Sequence, residues 1–191
     1  GGDDDGSLYE REAALEAAAV RAEMAAAASD ETLMGAVDSM QLEVRQRAAR
    51  ILQRNGYFTE CASMRPSSER PVHEDMHPDG KLERTYRSGR AEILYATGTR
   101  KEVLPSGLQT VFFSNGDIKQ TAVDGRVVYY YAEAETTHVS EPDGMQLYHF
   151  PNQQVERHFQ DGLKEITFAD GTLKIIHPNG QVETLGHNER G

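Results

Sequence analysis

Hydrophobic and polar positions change rhythm along this chain. Between Glu31 and Asn55, Val37, Met40, Val44, Ala48, Ile51 and Leu52 recur at three- and four-residue steps, which is one stripe of a helix. From about residue 78 onward, apolar and polar residues alternate in short runs punctuated by glycine, the pattern of strands and turns. The stretch between, CASMRPSSERPVHEDMH, is polar and interrupted by Pro66 and Pro71, and reads as a linker. These changes divide the chain into a helical arm over 1–57, a linker over 58–77, a sheet domain over 78–185 and a tail over 186–191.

In the arm, residues 7–55 are rich in Ala, Glu, Arg, Met and Leu and contain no proline. Ser29 and Asp30 supply an N-cap, and Asn55-Gly56 supplies a C-terminal stop. Val37, Met40, Val44, Ala48 and Ile51 form the docking face of this helix. Such a stripe needs something to cover it. Another chain is the reading adopted; packing within this chain is the alternative.

The sheet domain is organised by a repeat. Glycines stand at 80, 89, 98, 107, 116 and 125, then at 144, 162, 171 and 180, with Gln153 in the skipped place. Most follow Asp, Asn or Ser, as in PDG, SNG, QDG and PNG, which are hairpin turns. Two-residue turns of the primed type leave about seven residues per strand and give a meander of about ten strands. The predicted fold is mainly β, an elongated single-layer antiparallel sheet of period nine, preceded by the helical arm. The step from Gly125 to Gly144 is nineteen residues, which predicts a bulge or wider loop within Ala132 to His138.

Aligned on the glycines, a column six places later reads Tyr86, Tyr95, Leu104, Phe113, Ala122, Tyr131, Phe150, Phe159, Phe168 and His177. Strand alternation is expected to join it on one face with residues two and four places after each glycine, Tyr129 and Tyr148 among them. Glu83, Glu92, Lys101 and Lys119, at the third place, then form a wet opposite face. Phe113 is expected beside Ile118, and Phe168 beside Leu173.

Composition narrows the function. With 38% apolar residues and no Trp, a large central core is not expected. The formal charge of −11 opposes phosphate neutralisation, so no nucleic-acid partner is expected. No apolar run approaches the ~20 residues that span a bilayer, so no membrane role is expected. The single Cys61 excludes a disulfide framework within the chain and points to a reducing compartment. The start at Gly1, not Met, with GGDDDG following, suggests a piece of a longer protein.

Catalytic chemistry finds no foothold. His149, His158 and His177 lack compact ligand spacing, so no metal or cofactor is expected. Cys61 has no partner pattern for a nucleophile, and the carboxylates near glycines are turn residues. The chain reads as a non-enzyme.

The motifs FFSNGDIKQ, DGRVVYYYAEAETTH, LYHF, QVERHFQDG and LKEITFADGT together resemble the T-complex protein 10 C-terminal domain, or G-box, of CPAP-type centrosomal proteins. The resemblance covers residues 76–182 and implies an elongated sheet open to solvent on both faces. It further implies a scaffold and protein-interaction module of the cytoskeleton, at the centriole or basal body, that binds an extended proline-rich peptide like that of STIL. Carried over by motif, the implied contacts are Phe113 of FFSNGD and Tyr129 and Tyr131 of VVYYYAEA, with Tyr148 and Phe150 of LYHF extending them. The aromatic residues also admit a plain role as the ladder that stiffens the sheet. A ciliary axoneme component, with the sheet as a rigid spacer, is the alternative function.

Overall fold

The computed structural model describes residues 46–57 and 69–186. Residues 46–54 are helical and are named α1. Ala, Arg, Leu and Gln favour this conformation, and Asn55-Gly56 ends it as expected. Gly56 takes φ +82°. Its N–H donates to the Gln53 carbonyl at 3.0 Å, and the Tyr57 N–H donates to the Leu52 carbonyl at 2.9 Å. This pair of bonds is a Schellman cap. Val37, Met40 and Val44 lie outside the described residues.

Thirteen strands follow in one antiparallel sheet, each hydrogen-bonded to the next in sequence. They are β1 Pro71–Met76, β2 Leu82–Tyr86, β3 Ala91–Leu94, β4 Arg100–Val103, β5 Gln109–Phe112, β6 Ile118–Thr121 and β7 Val127–Tyr131. The remainder are β8 Thr136–Ser140, β9 Gln146–His149, β10 Val155–His158, β11 Lys164–Thr167, β12 Leu173–Ile176 and β13 Val182–Leu185. The single antiparallel sheet is the one the glycine repeat predicts. Its boundaries differ, because β1 lies in the segment read as linker. The nineteen-residue step holds a tight turn at 132–135, and His138, placed in a loop by the sequence reading, belongs to β8.

The turns are not the two-residue primed kind. In the turn after β5, Phe113 N–H donates to the Asp117 carbonyl at 3.0 Å and Gly116 N–H to the Phe113 carbonyl at 3.1 Å. Among the described non-glycine residues only Glu135 and Gln153 have positive φ, so Asn115 cannot be the first half of a type I′ pair. The loop is three residues long, a type I turn with Gly116 at φ +91° as the bulge residue. The same bonds recur from His77–Lys81 to His177–Gln181.

That one extra residue corrects the register. Phe112, not Phe113, stands opposite Ile118, and Thr167, not Phe168, stands opposite Leu173. A strand alternates with period two while the repeat is nine, an odd number, so equivalent places in successive strands face opposite sides. The expected one-sided aromatic column therefore splits. Tyr86 shares a face with Glu92, whereas Phe113 and Tyr131 share the other with Tyr129.

The sheet is open over most of its area, as expected, but the β5–β9 part of one face is covered. Ala48, Ala49 and Leu52 of α1 form a buried cluster with Phe112, Ile118, Val128, Tyr130, Val139 and Leu147. Ile51 and Tyr57 pack against its margin. Ala48 and Ile51, expected to dock on another chain, thus dock on this chain's own sheet. The covered face continues into a buried polar strip. Glu92 and Glu102 stand directly opposite each other, both 1% exposed, so the third place is not uniformly wet. Arg90 bridges the pair, with its Nη1 3.3 Å from Glu102 Oε1 and its guanidinium 3.6 Å over the Tyr86 ring, and Arg100 pairs with Glu92 from the next strand.

Candidate functional site

The face opposite α1 carries the aromatic residues singled out from sequence. Cross-strand pairing places Lys119, Tyr129, His138, Tyr148 and Glu156 in one row across β6 to β10. Strands lie ~4.8 Å apart, so neighbouring side chains in such a row touch.

Two ring groups result. Phe113 stacks on Tyr129 with centroids 6.0 Å apart, and Tyr129 meets Tyr131 at 4.4 Å. Next along the row, Tyr148 lies parallel to His138 at 4.5 Å, within 2° of coplanar, and reaches Phe150 at 6.3 Å and His158 at 5.1 Å. All five predicted contact residues therefore occupy one face. They differ in access. Tyr129, Tyr131, Tyr148 and Phe150 are half-buried, while Phe113 is only 5% exposed and presents little more than an edge.

Polar bonds fix these rings. Asp117 follows the bulge glycine, and its Oδ2 accepts the Tyr129 hydroxyl at 3.0 Å while Oδ1 accepts the Ala132 N–H at 2.8 Å. Asn115 Oδ1 accepts the Asp117 N–H at 3.0 Å, so the SNGD turn is tied to the YYYA hairpin. On the other side, His138 Nε2 donates to Gln146 Oε1 at 2.6 Å, and that oxygen also accepts Ser140 Oγ at 2.7 Å. Glu156 pairs with His158 at 2.9 Å and accepts Gln154 Nε2 at 2.7 Å.

Four members of this row escaped the sequence reading: Lys119, expected on the opposite face but standing beside Tyr129, His138, Glu156 as a ring neighbour, and His158. The available signal was the alternation Thr136, His138, Ser140 against Thr137 and Val139. His149 and His158, nine residues apart on successive strands, are on opposite sides. His149 faces α1, with its Nε2 3.0 Å from the Tyr57 hydroxyl. Burial, with help from the Arg157 charge, pushes the His149 pKa down, and burial pushes that of Tyr57 up. Among the described residues no three His, Cys, Asp or Glu side chains gather as metal ligands.

Residues 69–103 and 142–176 match the family described as T-complex protein 10 C-terminus. The chain carries a T-complex protein 10 C-terminal domain. A segment of 87 residues is 53% identical to the Centrosomal P4.1-associated protein of Mus musculus, covering 45% of this chain and 6% of that relative. The chain thus spans a small part of the length of the curated relatives it matches. Among solved structures, the wild-type domain of Danio rerio CPAP, in complex with a peptide of Danio rerio STIL, is 48% identical. The match covers 59% of this chain and 57% of that one, with a TM-score of 0.43. The TCP10c domain of Drosophila melanogaster Sas-4 is 30% identical over 62% of this chain and 99% of its own length, with a TM-score of 0.33. In this T-complex protein 10 C-terminal domain, the family match covers β1 to β4 and β9 to β12, and the rings lie between and within these stretches.

Proposed function

We propose that this chain is the peptide-binding module of a centriolar scaffold and that an extended, proline-rich segment lies across Tyr129, Tyr131, Tyr148 and Phe150. The observation that carries this reading is the row of half-exposed rings, held at fixed spacing by Asp117 and Gln146, on the face opposite α1. A flat aromatic row suits such a partner. Proline rings lie against tyrosine faces, and a polyproline II segment is already extended, so little conformational entropy is lost on docking. The relative solved with a STIL peptide supports this choice of partner. An axonemal spacer finds no support among the relatives, whose names are centrosomal.

The test is fluorescence anisotropy with a labelled proline-rich STIL segment. Tyr129→Ala combined with Phe150→Ala should weaken binding at least about tenfold, equivalent to ~1.4 kcal/mol. The β-type circular dichroism should persist. Unchanged affinity removes these rings from the site. Phe113→Ala should act more weakly on binding than on stability, because its ring is shut in.

A further inference from the structure

A second concave surface lies between α1 and the β9–β10 hairpin. It is a cleft of about 650 Å³. Arg47, Arg50 and Arg54 line it from α1, at spacings of three and four that put all three on one side of the helix. Arg47 engages Glu135. Arg50 and Arg54 are exposed and make no ion pair with any other described residue. Ile51 and Val155 supply an apolar floor. This is a cationic cleft on a chain whose formal charge is −11.

The hairpin side of the cleft holds a repeat turn that lacks glycine. Gln153 occupies the bulge position with φ +68°, and its N–H donates to the Phe150 carbonyl at 3.1 Å, the bond that glycine makes in the other repeat turns. A side chain there is strained where glycine is not, and Gln153 lines the same cleft as the arginines.

We propose that this cleft is a second docking site, for an acidic peptide segment with an apolar anchor. The guanidinium forks of Arg50 and Arg54 match carboxylates in two-pronged contacts. The Gln153 amide suits a peptide backbone group, and Ile51 with Val155 suits the anchor. The negative remainder of the chain repels such a segment elsewhere and steers it here. Phe150 borders both this cleft and the aromatic row, whereas Tyr129 belongs to the row alone, so a change at Tyr129 tells the two sites apart.

The test uses the whole 191-residue chain and a fluorescein-labelled peptide, Glu-Glu-Glu-Leu-Phe-Glu-Glu-Glu, with its all-Gln counterpart as control. The acidic peptide should bind, and the Gln peptide should bind at least about tenfold more weakly. Arg50→Gln with Arg54→Gln should cost the acidic peptide at least about tenfold, as should raising salt from about 50 to about 300 mM. Gln153→Gly, which leaves α1 untouched, should cost about threefold and keeps the proposal falsifiable if the double variant loosens the helix. Tyr129→Ala should leave acidic-peptide binding unchanged. The proposal is overturned if the wild-type chain does not bind the acidic peptide, or if both arginine and Gln153 variants bind as wild type. Tighter binding of a thymidine oligonucleotide of equal length overturns it as well.

Discussion

Leu52→Ala tests whether α1 belongs to the sheet or only lies near it. Leu52 is completely buried, in contact with a cluster that draws on five strands, from Phe112 of β5 to Leu147 of β9. Truncation to Ala removes three carbons. At ~0.8 kcal/mol per buried methylene the transfer loss is about 2.4 kcal/mol. The hole left between a helix and a flat sheet collapses only partly, so the total should fall within the roughly 2–5 kcal/mol seen for buried Leu→Ala changes. Gln53→Ala is the control, because that side chain is exposed on the same helix and Ala is the better helix former. Urea unfolding followed by far-ultraviolet circular dichroism gives the total. Hydrogen exchange of the 48–52 amides shows whether the loss begins as detachment of α1. A cost for Leu52→Ala below about 0.5 kcal/mol, or no greater than for Gln53→Ala, would refute docking of α1 on the sheet.

Turn strain separates two glycines. Gly125→Ala has open space around the new methyl and should cost only the left-handed penalty, about 1–2 kcal/mol. Gly107→Ala puts the methyl 2.6 Å from Val123 Cγ2 and should cost more in the same urea assay. Tyr129→Phe removes the hydroxyl that Asp117 accepts but keeps the ring, and should destabilise by about 1–2 kcal/mol while retaining most peptide affinity by anisotropy. For His149 the folded pKa lies below its ordinary value, so the unfolded chain takes up a proton first as pH falls. Stability should be full above the unfolded pKa of ~6.5 and decline below it, down to the folded pKa; thermal melts of wild type and His149→Gln should show that the variant loses this dependence. At the alkaline end, the raised Tyr57 pKa predicts stability falling as pH rises past ~10, a loss that Tyr57→Phe should abolish.

The meander was legible because each nine-residue repeat carries its own turn chemistry, and local signals of that kind survive in a sheet whose strands contact only their neighbours. Register was less legible. SNGD fits either a two-residue primed turn or a three-residue turn with a glycine bulge, and the residue that decides between them, Asp117, does so by bonding Tyr129 and Ala132 across the next hairpin. Strand β1 was missed for another reason. Val72, His73, Glu74, Asp75 and Met76 are all exposed at the sheet margin, so no apolar alternation marks them. The apolar stripe of α1 was plain, yet periodicity shows only that a helix face needs cover, not what covers it.

The same arithmetic explains why the five named rings share a face despite a wrong account of the column. An odd repeat sends rings to alternate faces, so a sheet of unbroken period nine would divide its aromatic residues evenly between the two sides. Strands two apart therefore carry equivalent positions on the same side, and the two ring pairs, Tyr129 with Tyr131 and Tyr148 with Phe150, sit two strands apart at β7 and β9. On β8 between them, His138 stands opposite both Tyr129 and Tyr148 and joins the two ring groups into one row. Placing the aromatic pairs on alternate strands is what concentrates rings on one face. Shortening the 132–135 turn to disturb the β7–β8 register should abolish capture of the proline-rich peptide by anisotropy, while β-type circular dichroism persists. Full binding with that register altered would show that the row is not the site.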